Sequence, residues 1–175
     1  MAVLIEGISV VILCQSIIKK VSGGVAEFIS LIPNRTLCSD GELACVSFMT
    51  PIDTRNFVEA LNRVGLRYRG SDGAAIDIVV VDQQSGPVVS CEWVDFGHTD
   101  WNNDPSQVVA VCCARRTKNT GIVAPEGWSY GRSLTANSKY ISGDKIPSNL
   151  EFVAHEDGVD VFRDTESGQN FYVRR

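Results

Sequence analysis

Imidazole is nearly missing from this chain: His98 and His155 are its two histidines, and no Cys-x-x-Cys spacing occurs anywhere. Chemistry built on a histidine base or a paired-cysteine metal site therefore has little to draw on. A phosphate loop is excluded too. Ser22-Gly23-Gly24 lies within a helical pattern and not between a strand and a helix, and no Gly-Lys-Ser/Thr follows it. Basic charge is also scarce, with 16 Lys+Arg against 21 Asp+Glu, a net charge of −5 and a pI near 5.0. Phosphate neutralisation needs a basic face, so the balance argues against a nucleic-acid binder. Long apolar runs are absent as well. The most apolar stretch, Ile8 to Ile18, is preceded by Glu6 and broken by Ser9, Gln15 and Ser16. Spanning a bilayer takes about 20 apolar residues in a helix, so neither a membrane span nor a signal peptide is expected, and the chain reads as cytoplasmic.

What is present suits an ordinary folded domain. The chain has 175 residues, 44% of them apolar and 21% charged, which excludes a disordered tail, a collagen-like fibre and a long coiled coil. A chain of this size buries roughly two-thirds of its unfolded surface, so a core needs no staples. Of the six cysteines, Cys14, Cys45, Cys112 and Cys113 sit in apolar, strand-like runs, where a reduced thiol packs as a small hydrophobe. Cys112 and Cys113, being neighbours in a strand, would point to opposite faces.

Two βα units open the chain. Ile8 to Leu13 reads as a strand, followed by Ile17, Val21, Val25, Phe28, Ile29 and Ile32 at helical spacing. Gly23 and Gly24 predict a kink or two short helices there. Leu43 to Met49 reads as the second strand, and Thr50-Pro51-Ile52-Asp53 supplies an N-cap, a first-turn proline and a capping-box acid. Phe57, Val58, Leu61 and Val64 form that helix's apolar stripe, Glu59 and Arg63 an i,i+4 pair, and Gly65 its stop. Ile76 to Val81 leaves only Asp77 polar, so both faces are expected to be buried and the strand is assigned to the sheet centre. Val88 to Phe96 and Val108 to Ala114 are further strands. Leu150 to His155, Val159 to Arg163 and Gln169 to Arg174, joined by Asp157-Gly158 and Thr165 to Gly168, read as a three-stranded antiparallel meander. Its docking face would carry Phe152, Val161, Phe171 and Val173.

The expected class is α+β: helices on one face of a mixed sheet, in ferredoxin-like layering, plus the C-terminal meander. The chain divides into an α+β core over 1–114, a basic loop or flap over 115–148, and the meander over 149–175 docked on the core as part of a single compact domain. The flap carries six basic and two acidic residues without clear periodicity. Trp128, a large apolar side chain among polar ones, is expected to anchor it to the body.

Charge layout is the most informative functional feature. Residues 70–114 hold seven acids and no Lys or Arg. Glu92, Trp93, Asp95, Asp100, Trp101 and Asp104 gather acids and aromatics in one short segment, which would attract a basic protein and speed its association. The leading expectation is a non-enzymatic interaction or regulatory protein with such a partner, immunity-like neutralisation being one form, without nucleic acid, membrane or cofactor. An edge strand would also allow a homo-oligomer. The alternative is a small, divalent-metal-assisted enzyme with its site between the acidic segment and the 115–148 flap. Asp95, His98, Asp100 and Asp104 are its ligand candidates, although their spacing matches no calcium loop. Thiol catalysis would pair Cys91 with His98 or His155; neighbouring acids oppose it by raising the thiol pKa.

Overall fold

The computed structural model describes residues 1–115, 117, 121–136, 140–141, 148–156, 159–168 and 170–174. In chain order the elements are β1 (Ala2–Ile5), β2 (Ile8–Leu13), α1 (Cys14–Lys20), α2 (Gly24–Ser30), β3 (Cys38–Ser39), β4 (Leu43–Phe48), α3 (Pro51–Arg63), β5 (Ile78–Asp82), β6 (Gly86–Pro87), β7 (Val94–Trp101), β8 (Asp104–Ala114) and β9 (Ile122–Val123). They continue through β10 (Tyr140–Ile141), β11 (Leu150–Glu156), β12 (Val159–Asp164) and β13 (Asn170–Arg174). The class is α+β, with the helices layered on one face of a sheet, compatible with ferredoxin-like layering.

That sheet has the order β3-β4-β2-β5-β6 and is antiparallel throughout. One face, carrying Val10, Ile12, Ala44, Val46, Ile78 and Val80, packs against Ile17, Val21, Phe28, Phe57, Val58 and Leu61 of the helical layer. The glycine pair divides the first helical stretch into α1 and α2, and Gly24 takes φ +60° at the break. α3 begins as its cap residues require: Thr50 Oγ1 accepts from the Asp53 N–H and donates to Asp53 Oδ2. Its expected stripe faces the sheet.

A second sheet, β7-β8-β1-β9, packs on the other face of the first. It is mixed, since β1 runs parallel to β9 and antiparallel to β8. Val3 and Ile5 of β1, Val94 of β7, and Ala110 and Cys112 of β8 meet Val11, Leu43, Cys45, Val79 and Val81 between the sheets. β5 is therefore buried on both faces as expected, but for another reason. It lies next to the short edge strand β6, and a second sheet covers it; β2 holds the centre. The strand expected from Val88 begins only at Val94. Cys112 faces the inter-sheet core and Cys113 the outer face, as alternation demands.

β1 and β2 lie in different sheets although only Glu6 and Gly7 separate them. Gly7 makes this switch at φ +55°, where a Cβ would stand 2.5 Å from the Phe48 carbonyl oxygen. The outer face of the second sheet, with Ala2, Leu4, Val109, Val111 and Ile122 of its edge strand β9, is covered by Ala124, Trp128 and Tyr130. The flap thus begins as a strap across the second sheet, anchored by Trp128. Arg116, Lys118, Lys139 and Lys145, four of its six basic residues, lie outside the described residues.

The C-terminal strands form the expected antiparallel set β11-β12-β13, with β10 added in parallel to β13. Register revises its faces. Phe162 pairs with both Phe152 and Phe171, so these three share a face with Val173, while Val161 lies on the other.

Candidate functional site

The acidic segment becomes one long hairpin. β7 and β8 pair from Val94↔Ala114 to Trp101↔Asp104, and Asn102 and Asn103 close the turn at φ 54° and 58°. Two successive positive φ values are the signature of the mirror-image turn whose twist suits a hairpin.

Alternation then distributes the side chains. Val94 and Phe96 face the inter-sheet core, and His98 and Asp100 continue on that side towards the hairpin end. Asp95 and Trp101 take the opposite side. Glu92, Asp95 and Asp100 are exposed. Among the described residues neither Glu92 nor Asp100 has a hydrogen-bond or ion-pair partner, whereas Asp95 pairs with Arg115 at 3.3 Å. Asp104 closes the turn locally: Oδ1 accepts from the Ser106 N–H and hydroxyl, and Oδ2 from Gln107 Nε2. These bonds hold its carboxyl below the usual carboxylate range.

The aromatic members are built into the fold. Trp93 packs at the rim of the inter-sheet core and donates from Nε1 to the Ala75 carbonyl. Trp101 meets Trp128 edge-on, with ring centroids 4.5 Å apart. The remaining candidates do not converge. His98 contacts the Gln83 carbonyl and the edge of Phe96. Among the described residues no group of three His, Cys, Asp or Glu side chains stands close enough to share a metal ion. The Cys91 thiol is pushed up by burial, and among the described residues it makes no hydrogen bond to either histidine. His155 is committed to Asp160 at 2.8 Å.

Two members of the acidic block serve the fold. Asp77 is buried and accepts from Ser16 Oγ at 2.7 Å, Lys20 Nζ at 2.8 Å and the Arg67 N–H at 2.9 Å. Burial pushes its carboxyl up, but these donors more than offset that and hold it below the usual range. Asp82 accepts from the Gln84 and Ser85 N–H groups, so it shapes the turn after β5.

Sequence reasoning missed a second place. Where β1 passes to β2, the Glu6 carboxylate accepts from the Leu134 N–H at 3.0 Å and borders two adjoining clefts of about 190 and 420 Å³. Thr36 and Ser47 line both; Trp128 and Arg35 close the smaller, and Arg132, Asn34 and Phe48 the larger. Burial raises the Glu6 pKa, although Trp128 and the Leu134 N–H favour its charged form. Trp128 Nε1 is itself buried, with no partner in hydrogen-bond geometry among the described residues. Below the cleft, Ser9 and Ser47 share a hydroxyl hydrogen bond of 2.9 Å. A half-buried carboxyl with a raised pKa keeps its proton to higher pH than an exposed one and so is better suited to proton exchange. A lone acid beside a glycine, between two apolar runs, was the available sequence signal.

Searches against protein-family models, curated proteins and solved structures each found no match to this chain.

Proposed function

We propose that this chain is a non-enzymatic interaction protein that presents the acidic β7–β8 hairpin to a basic protein partner, neutralisation of a cationic protein being one form. The observation that carries the reading is the placement of Glu92 just before β7, Asp95 and Asp100 on its two sides and Asp104 at the turn, within a stretch free of Lys and Arg. Acids that diverge suit a broad cationic surface better than a single ion. Trp93 and Trp101 support the surface from below and leave part of each ring exposed. Glu92 and Asp100 carry most of the attraction, since Asp95 and Asp104 are partly neutralised or engaged locally. The expected setting is the cytoplasm, in keeping with six cysteines that are all free thiols in this structure; no helix among the described residues is long and apolar enough to cross a membrane. In the test, a ten-residue lysine peptide is added to wild type and to Glu92→Gln/Asp100→Asn. About tenfold slower association for the variant at low salt supports the reading, and equal rates overturn it.

The Glu6 clefts favour a second reading, a ligand site beneath the flap. Glu6 would exchange a proton with the ligand, and Arg35, Arg132 and Trp128 would orient it. This moves the enzyme alternative from the acidic segment to the Glu6 clefts. A small-molecule library screened by thermal shift tests it: hits that protect wild type but not Glu6→Gln support the site, and equal protection of both removes it.

A further inference from the structure

We propose that Cys38 and Cys45 form a modification site, at which the two thiols of the β3–β4 hairpin close to an intramolecular disulfide by exchange with a low-molecular-weight disulfide. They are direct register partners, and among the described residues no other two cysteines are. Residues opposite one another in an antiparallel pair have Cα atoms about 4.5 or 5.5 Å apart, according to the kind of pair. Both values fall within the roughly 4.4 to 6.8 Å that a disulfide spans. Both side chains point into the inter-sheet core, so the sulfurs approach from the same face. Each thiol is free, and the Cys45 thiol donates to the Leu4 carbonyl at 3.3 Å. Cys112 lies in the same inter-sheet core as Cys38 and Cys45, which makes it the competing partner to exclude.

Burial protects the pair in the closed fold, at 5% and 0% exposure. Access comes through β3, which is two residues long, lies at the sheet edge and is followed by a turn exposed at Gly41 and Glu42. Such an edge opens at lower cost than the core strands. On opening, the Cys38 thiolate attacks one sulfur of the small disulfide; a Cys38–S bond forms and one small thiolate leaves. The Cys45 thiolate then attacks Cys38 Sγ, forming the Cys38–Cys45 bond and expelling the second small thiolate. The two protein thiols lose two electrons and two protons, and the small disulfide takes both up as two thiols. The resulting ring closes the hairpin and fixes β3 against β4.

The test uses oxidised glutathione at pH 8 on the full chain, followed by alkylation, unfolding and digestion with trypsin and a glutamate-specific protease. Cleavage after Arg35, Glu42 and Arg55 separates the two cysteines into different peptides. The expected result is a linked pair of peptides, 36–42 with 43–55, and the loss of two of six titratable thiols. The linked form should also unfold about 5 to 10 °C higher, as closure of a short loop predicts. Cys112→Ser should form the link like wild type, and Cys38→Ser should not. Six free thiols after incubation, glutathione adducts without a link, or a link from Cys45 to Cys112 would each overturn the proposal. The wild-type digest decides the matter even where a serine variant fails to fold.

Discussion

Replacing Trp128 by alanine tests whether the first part of the flap is a strap held by one side chain. The ring packs on the outer face of the second sheet and meets Trp101 edge-on. Deleting a fully buried Trp costs about 3–5 kcal/mol, and a half-buried one about half of that. The edge-on pair adds about 1 kcal/mol. Removing the buried N–H, which lies beside the Glu6 carboxylate but has no hydrogen-bond partner among the described residues, returns at most about 1 kcal/mol. The net loss is about 2 kcal/mol, which corresponds to a factor of roughly 30 in an opening equilibrium. If the strap opens by itself, this factor appears as faster trypsin cleavage after Arg132 while the global midpoint hardly moves. If it unfolds with the body, the midpoint falls by about 4 to 8 °C instead. Native-state proteolysis and a thermal melt of the same samples distinguish the two. Trp128→Phe keeps the ring contact and drops the unpartnered donor, so it should stay near wild type in both. Unchanged cleavage and an unchanged midpoint in Trp128→Ala would refute the anchoring argument.

Asp77→Asn should cost about 2 kcal/mol at pH 7, as the Lys20 contact is partly solvent-screened. Because the folded pKa lies below the unfolded value of about 3.9, the carboxylate's contribution is complete above that pH. It fades as pH falls through the folded value, so denaturation curves of wild type and variant should converge on the acid side. Glu6→Gln has the opposite sign: a raised folded pKa gives stability that is complete below about pH 4.3 and is lost as pH rises through the folded value. The variant should therefore gain on wild type between pH 4 and 7, which urea melts at both pH values would read. Asn103→Gly relieves a positive φ and should stabilise by about 0.5–1 kcal/mol, whereas Asn102→Ala should cost about 1 kcal/mol. Equal midpoints for these two variants would contradict the turn geometry.

Elements with local chemistry were legible in the sequence. Thr50-Pro51 and the capping acid Asp53 mark α3, the Gly23-Gly24 pair marks the break between α1 and α2, and alternation marks the terminal strands. β1 was not, because its four apolar residues carry no alternation and its switch of sheet depends on the single backbone angle of Gly7. The second sheet was hidden for a related reason: a strand covered on both faces reads the same whether its cover is helical or a sheet. At the site, charge was legible and pairing was not. Asp77 and Glu92 look alike in sequence, yet one anchors Lys20 inside the fold and the other faces water. Trp128 stood out by size among polar neighbours, while the cleft it closes against Glu6 is made by residues from four distant segments.

The most direct test of the acidic-hairpin account is carboxyl footprinting of the full chain with and without the ten-residue lysine peptide. Coupling of a small amine to each Asp and Glu is read by mass spectrometry at 20 and 150 mM salt. The account predicts protection concentrated at Glu92, Asp95 and Asp100, stronger at 20 mM, where charges are less screened. Protection spread evenly over the exposed acids, including Glu59 and Glu166, or concentrated away from the hairpin, would contradict it.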